Sequence, residues 1–170
     1  IFYWKKVIEI QPKNFQAYNN IGNIYLEENK DNLAIKFYDK TLSLNKNFYL
    51  AYFNRGIAFQ KQEKLIESID SFSEAIKLNS KYSEAYYNRG NAYRDINKLD
   101  FALSDYLSAF KINPNLQNLF GNIFATKNNL CDWKNYNENL SYLEKQILNN
   151  KSIIRPFTSL SAFNSTKIQN

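Results

Sequence analysis

The chain has 170 residues, of which 44% are apolar and 16% aromatic, and this is ample material for a packed core. Four glycines and three prolines are too few for a turn-rich sandwich or barrel, so the composition predicts an all-α protein. With no histidine and one cysteine, Cys131, the sequence excludes an internal disulfide and a zinc cluster, and we expect no metal and no cofactor.

The formal charge of +6 raises the question of nucleic acid. The lysines, however, are scattered singly and alternate with acidic residues, whereas nucleic-acid binding needs a concentrated positive surface. No apolar run approaches the about 20 residues that span a bilayer, and no signal segment opens the chain. We therefore expect a cytoplasmic protein with no nucleic-acid and no membrane partner. The lack of methionine indicates a piece of a longer polypeptide or a processed product.

A spacing of 34 residues separates three glycines, Gly22, Gly56 and Gly90, and similar residues surround each of them. A period of this length predicts stacked helical units. Positions in each unit are counted from residues 15, 49, 83 and, for the segment that follows, 117. Aromatic residues recur at positions 4, 11 and 24 and small residues at positions 8, 20 and 27, in a pattern typical of two amphipathic helices per unit.

The pattern predicts first helices near residues 15–28, 49–62 and 83–96 and second helices near residues 31–45, 65–79 and 99–112. Small residues let two helices approach to about 8–10 Å, so Gly22 and Ala34 should receive aromatic partners. Between the paired helices, Asn29 and Asn97 suit the left-handed conformation that closes a helix. Pro114 ends the last second helix.

This period and residue placement resemble the tetratricopeptide repeat over residues 15–116. The resemblance implies a right-handed α-solenoid whose three full repeats span residues 15–48, 49–82 and 83–116. Residues 1–14 are interpreted as the second helix of a truncated repeat, because Trp4, Val7 and Pro12 fall on positions 24, 27 and 32 of a preceding unit. We expect that unit to leave an apolar flank exposed at Phe2, Tyr3 and Trp4.

After Pro114 the pattern weakens, since Phe124 stands in place of the position-8 glycine and Lys127 in place of the position-11 aromatic. Residues 117–130 are therefore predicted to form a divergent capping helix. Residues 131–170 are predicted to form a linker helix, N-capped by Asp132, and the start of a junction to an absent C-terminal domain. The apolar residues of that helix are Tyr136, Leu140, Leu143, Ile147 and Leu148.

The segment Cys131-Asp132-Trp133 resembles the junction between repeat array and catalytic domain in O-linked N-acetylglucosamine transferases of the SPINDLY-like and bacterial type. The resemblance implies a parent chain that is a protein glycosyltransferase, with its catalytic residues beyond residue 170. No residue of the present chain is assigned a catalytic role. Because there is no histidine to activate it, Cys131 is predicted to be a buried structural thiol and not a nucleophile.

First helices line the concave groove of tetratricopeptide arrays, and one residue per repeat projects there from position 6. The resemblance thus implies an asparagine ladder, formed by Asn20, Asn54, Asn88 and Asn122. Asn23 and Asn91, at position 9, are predicted to add contacts beside it. A carboxamide offers both donors and an acceptor, which suits the backbone of an extended peptide, as in the ladder of the O-linked N-acetylglucosamine transferases. The alternative is that these asparagines only bond to a neighbouring helix.

Three other interpretations remain beside an O-linked N-acetylglucosamine transferase array. A chaperone-docking clamp for a C-terminal carboxylate is disfavoured, because it needs cationic residues where this chain has Asn19, Glu84 and Asn88. A generic adaptor unrelated to glycosylation, or a scaffold that self-associates through the N-terminal flank, stays open. Arg55 and Arg89, at position 7, are expected to pack their stems between helices instead of facing the groove.

Overall fold

The computed structural model describes residues 1–132, 134–135, 137–138 and 140–141. Within these residues the secondary structure is helical throughout. The helices are α1 (Phe2–Ile10), α2 (Phe15–Glu27), α3 (Asp31–Leu44), α4 (Tyr49–Lys61), α5 (Leu65–Leu78), α6 (Ser83–Asp95), α7 (Leu99–Ile112) and α8 (Leu119–Asn129). The all-α prediction is confirmed, and the six helices of the three full repeats begin and end within one residue of their predicted bounds.

The helices stack in chain order into a solenoid. Within the repeats α2 packs on α3, α4 on α5 and α6 on α7, and between repeats α3 packs on α4 and α5 on α6. The first helices of successive repeats, α2, α4 and α6, also contact one another in turn. The contacts among these first helices form one side of the solenoid, and the predicted functional residues lie on that side.

A glycine and an aromatic ring hold each helix pair together. A Cβ built on the glycine would lie impossibly close to the Cε1 atom of the ring. The distances are 2.6 Å from Gly22 to Tyr38, 2.6 Å from Gly56 to Phe72 and 2.8 Å from Gly90 to Tyr106. All three rings are fully buried. The predicted aromatic partner of Gly22 is thus confirmed, and the same contact recurs in every full repeat.

The turn that closes each first helix also recurs. Position 15 has a positive φ in every case, 56° at Asn29, 58° at Glu63 and 59° at Asn97. The next residue then donates its N–H to the carbonyl at position 11, as Lys30 does to Tyr25 at 2.8 Å. The left-handed conformation predicted for the two asparagines is confirmed, and a glutamate adopts it as well.

The two ends of the array differ in how far they match the predictions. At the N-terminus α1 buries no residue. Phe2 and Tyr3 of the predicted apolar flank are 75% and 68% exposed, whereas Trp4 is half-buried, and Ile10, which was not predicted, is 80% exposed. At the other end Cys131 is exposed, and the prediction of a buried thiol is wrong. The reason is that Cys131 takes the left-handed turn position, with φ 55°, after α8.

Asp132 accepts a hydrogen bond from the N–H of Lys134 at 3.2 Å. This bond lies in a turn, since residues 134 and 135 are not helical and Asn135 has a φ of 58°, so the prediction that Asp132 caps a helix directly is wrong. A short distance of 3.4 Å also separates the Lys127 Nζ atom from an Asp132 carboxylate oxygen. These contacts lower the pKa of Asp132 from its usual value, chiefly through the backbone hydrogen bond of Lys134. Of the apolar residues predicted for the linker helix, Leu140 is buried, while Tyr136, Leu143, Ile147 and Leu148 lie outside the described residues, as does Trp133.

Replacement of Gly56 by alanine tests the glycine contact. The added methyl group must displace the ring of Phe72, so we expect the free energy of unfolding in urea to fall by about 1–3 kcal/mol. Helix propensity alone would raise it by about 1 kcal/mol, so a more stable Gly56→Ala variant would contradict the packing argument. Adding Phe72→Leu should recover part of the loss, and Gln60→Ala on the same helix serves as the control.

Replacement of Glu63 by asparagine tests the closing turn. Asparagine tolerates a positive φ better than glutamate, so we expect Glu63→Asn to raise the free energy of unfolding by about 0.5–1 kcal/mol. The same change at Glu67, in the first turn of α5, should lower it by a few tenths of a kcal/mol, because asparagine is the poorer helix former. Equal effects at the two sites would speak against backbone strain at Glu63.

Candidate functional site

The predicted binding residues lie on α2, α4, α6 and α8, the first helices that line one side of the solenoid. Each of the six is half-buried. They are Asn20, Asn23, Asn54, Asn88, Asn91 and Asn122. The structure brings some of them into direct contact across the repeat boundaries, and it leaves others apart.

Between repeats 1 and 2, three side chains form a hydrogen-bonded chain. The hydroxyl of Tyr38 donates to the Oδ1 atom of Asn23 at 2.9 Å. The same oxygen accepts from the Nδ2 atom of Asn54, also at 2.9 Å. Burial raises the pKa of Tyr38 well above its ordinary value, with a smaller effect from Glu27, so the hydroxyl keeps its proton and remains a donor. A core ring is therefore linked to two asparagines of the predicted ladder.

The same arrangement recurs between repeat 3 and α8. The hydroxyl of Tyr106 donates to Asn91 Oδ1 at 2.9 Å, and Asn122 Nδ2 donates to the same oxygen at 3.3 Å. Asn122 Nδ2 also lies 3.2 Å from the hydroxyl of Tyr87. A guanidinium nitrogen of Arg94 adds a further donor to Asn91 Oδ1 at 3.3 Å. The position-9 asparagine is thus the shared acceptor at both ends of the array.

The middle boundary lacks this chain. Repeat 2 has Ile57 at position 9 and Phe72 at position 24, so neither an acceptor nor a hydroxyl donor is present. Asn88, the position-6 residue that follows, instead donates to the carbonyl oxygen of Glu84 in its own helix at 2.8 Å. The difference follows directly from the loss of the position-9 carboxamide.

Asn20 makes no side-chain hydrogen bond within the described part of the chain, where no first helix precedes α2. The other three ladder residues each use Nδ2 as a donor inside the protein. In none of the four does Oδ1 accept a bond from any described residue. The alternative interpretation is therefore confirmed for Asn54 and Asn122, which bond to a neighbouring helix, and not for Asn20 and Asn88. Peptide binding by the ladder stays a prediction.

Charges beside the ladder are already paired. Lys61 Nζ donates to the carbonyl of Leu26 at 3.2 Å and to Asn29 Oδ1 at 2.9 Å. Arg94 forms an ion pair with Asp95 at 2.9 Å. Neither cation has the isolated position that recognition of a carboxylate group requires.

Arg55 and Arg89 bind across the outer side of the repeat boundaries. Arg89 makes two 2.7 Å hydrogen bonds to the buried Asp105 and one of 2.9 Å to Ser73 in the preceding repeat. Although burial acts to lower the pKa of Arg89, the hydrogen bond and charge of Asp105 raise it. Arg55 has the acid and the serine exchanged: it contacts Asp39 of the preceding repeat at 2.7 Å and Ser71 of its own repeat at 3.3 Å.

The arginines therefore stabilise the stack, as expected from their predicted packing between helices. Their acidic partners were not identified from the sequence. Asp39 and Asp105 stand at different positions of their repeats, 25 and 23, so no periodic signal marks them.

No group of three potential metal ligands is found among the described residues, and none of their helices is long and apolar enough to cross a bilayer. The chemistry available on the inner side is hydrogen bonding by carboxamides and contact with apolar side chains.

Comparison with protein families gives two matches. The model described as "Tetratricopeptide repeat" matches residues 15–48 and 83–116, and the model described as "TPR repeat" matches residues 61–95. Together the matched segments cover more than half of the chain. No curated protein matches the sequence.

Solved structures with the same fold include several repeat proteins. MamA is 26% identical with a TM-score of 0.75, over 85% of this chain and 86% of that one. The first TPR domain of Spaghetti (RPAP3), bound to the HSP90 peptide SRMEEVD, is 25% identical with a TM-score of 0.67, over 69% of this chain and 93% of that one. MamA from Desulfovibrio magneticus RS-1, at 16% identity and TM-score 0.77 over 86% of this chain and 83% of that one, shows the fold alone.

A comparison of two alanine variants tests the hydrogen-bonded chain. Asn23→Ala leaves the Tyr38 hydroxyl and Asn54 without their shared acceptor, so we expect the free energy of unfolding to fall by about 1–3 kcal/mol. Asn20→Ala, one turn away on the same helix, removes no such bond and should change it by less than about 0.5 kcal/mol. Urea unfolding followed by circular dichroism measures both, and equal losses would argue against the chain of bonds.

Proposed function

The chain belongs to the tetratricopeptide repeat family, and on that premise we propose that the groove along its first helices binds an extended segment of a partner protein. The binding residues in this proposal are the ladder, Asn20, Asn54, Asn88 and Asn122, with Asn23 and Asn91 beside it. The chain acts as a protein-interaction module, and the present residues carry no catalytic step.

One observation carries the proposal: each ladder asparagine keeps a carboxamide oxygen that accepts no bond from the described residues. These oxygens are therefore available to a donor from a partner, and a hydrogen bond to a half-buried carboxamide is better shielded from water than one on an open surface. A peptide backbone supplies such donors at regular intervals. Asn23 and Asn91 act differently, since their Oδ1 atoms are occupied and they hold the ladder residues in place.

The spacing of the ladder suits an extended chain. Helices in contact lie about 8–10 Å apart, so neighbouring first helices present one ladder residue about every 8–10 Å. A peptide in the polyproline II conformation advances about 9 Å for every three residues. One backbone N–H in three would therefore meet one asparagine oxygen per repeat. Contacts of this kind recognise the peptide backbone. The side chains of the peptide are then recognised by other residues of the groove.

The Spaghetti (RPAP3) domain binds a peptide, which supports a peptide-binding groove in this chain, but the preference for that acidic sequence does not transfer. A carboxylate clamp needs cations at positions that here hold Asn19, Glu84 and Asn88. The nearby Lys61 and Arg94 are engaged by other groups. We therefore assign the groove to an internal segment of a partner and not to a C-terminal carboxylate.

Three more specific predictions concern the parent protein, its location and its self-association. None of the matched proteins supports the link to O-linked N-acetylglucosamine transferases, and the Cys131-Asp132-Trp133 resemblance stays a prediction that the reading frame after residue 170 tests directly. The cytoplasmic setting stays a prediction too. The exposure of Phe2 and Tyr3 in the N-terminal flank favours self-association as the second candidate function, which the mass of the chain in solution tests.

A double variant of the ladder tests peptide binding. Asn20 and Asn88 make no bond to another helix, so Asn20→Ala with Asn88→Ala should leave the fold intact while removing two acceptors. Against a randomised library of peptides blocked at both ends, we expect the affinity of the selected peptides to fall about 5- to 20-fold. Asn47→Ala, on an exposed loop, is the matched control.

Unchanged affinity in the double variant, with helicity preserved, would reject the ladder as the binding surface. Failure of the unmodified chain to bind any peptide would reject the proposed function itself.

A further inference from the structure

The groove side of repeat 2 differs in polarity from the repeats on either side. Positions 2 and 9 lie one helical turn from the ladder position 6 on the same face, and position 5 lies next to it. In repeat 2 these three positions are all apolar: Leu50, Phe53 and Ile57. In repeats 1 and 3 the same positions are held by Gln16, Asn19, Asn23, Glu84, Tyr87 and Asn91. Because a polar ladder runs past this place on both sides, the apolar residues form a separate patch in the middle of the groove.

Equivalence between repeats locates the patch. Asn23 and Asn91 lie within 2.9 and 3.3 Å of the ladder asparagine of the next unit. Ile57 occupies the same position in α4, and α4 contacts α6, which carries Asn88. Ile57 therefore stands opposite Asn88 at the boundary between repeats 2 and 3.

The patch has a buried floor and a partly exposed rim. Phe53 is 9% exposed, and its ring centroid lies 5.7 Å from that of Phe72 and 4.7 Å from that of Tyr82. Leu50 and Ile57 are half-buried, so part of their apolar surface faces solvent. Covering that surface is favourable by about 25 cal/mol per Å².

Two linked residue choices keep the patch free of polar groups. If Phe72 were replaced by tyrosine while Ile57 stayed in place, the buried hydroxyl would lack a hydrogen-bond partner. The chain has phenylalanine and isoleucine at this one boundary and tyrosine and asparagine at the other two. Asn88, released from inter-repeat bonding, directs its Nδ2 group to its own helix.

Resting on the proposed function, we propose that the partner segment carries an aliphatic side chain, leucine, isoleucine or valine, at the residue that faces repeat 2. This side chain packs on Leu50 and Ile57. The backbone N–H groups on either side of it donate to the carboxamide oxygens of Asn54 and Asn88. A charged residue is disfavoured at that step, since it would lose water and the neighbouring cations are already bonded.

A positional-scanning peptide library tests the inference on the 170-residue chain. Blocked peptides of about nine residues span three repeats at about three residues each. In each pool one position is fixed as leucine, asparagine, lysine or glutamate. We expect one internal position at which leucine binds about 5- to 20-fold more tightly than asparagine.

Two groove variants and one control distinguish binding at the apolar patch from non-specific hydrophobic binding. Leu50→Gln installs the residue that repeat 1 has at this position, and should reduce the leucine preference about threefold or more with little effect on folding. Ile57→Asn with Phe72→Tyr installs the polar pair of repeats 1 and 3, and should abolish the preference while binding persists. Leu33→Gln makes the same chemical change at an exposed leucine of α3, the second helix of repeat 1. Because this residue is not on a first helix, the variant should leave the preference unchanged.

The outcomes are distinguishable. Binding without any aliphatic preference, or a preference that survives Leu50→Gln and the double variant, would overturn this inference while leaving the proposed function in place. A loss of preference in Leu33→Gln would also overturn it, since the selectivity would then come from elsewhere. No binding by the unmodified chain would overturn the proposed function and this inference together.

Discussion

The contact between a glycine at position 8 and an aromatic ring at position 24 determines both the core and the groove. Gly22 lets the ring of Tyr38 lie against α2, within 2.6 Å of where a Cβ would be. In that place the hydroxyl of the same ring reaches Asn23, the residue after the glycine. Asn23 then holds Asn54 of the next repeat. A close approach of two helices thereby positions a side chain in the groove, one repeat away.

Because of this coupling, the presence or absence of a hydroxyl on the position-24 ring determines whether the repeat boundary in the groove is polar. Where the ring is tyrosine, as at Tyr38 and Tyr106, the next residue after the glycine is asparagine and the repeat boundary is polar. Where the ring is Phe72, the equivalent residue is Ile57 and the boundary is apolar. The ring hydroxyl and the position-9 carboxamide must change together, because either one alone leaves an unpaired polar group in a largely buried place.

The periodic features of the fold could be predicted from the sequence, while contacts between unlike positions could not. Helix bounds, the ring on Gly22 and the left-handed Asn29 all follow from residues that recur in every unit. The bond between Asn23 and Tyr38 was missed, although the joint change to Ile57 and Phe72 is visible in the sequence and signals a contact. The arginine partners were missed for a different reason, since the acid occupies position 25 for Arg55 and position 23 for Arg89, and no repeat signal singles it out. The exposure of Cys131 was misjudged because its place in the repeat was not considered.

The segment after Pro114 retains more of the repeat than its residues suggest. Cys131 stands at position 15 with a φ of 55°, and the N–H of Asp132 bonds to the carbonyl of Lys127 at 2.9 Å, as in the three closing turns before it. Positions 8 and 24 of this unit hold Phe124 and Leu140, which are 2% and 8% exposed. Asn122 keeps its place as the fourth member of the ladder because its Nδ2 group donates to Asn91 of the preceding repeat, where the contact between Gly90 and Tyr106 is intact.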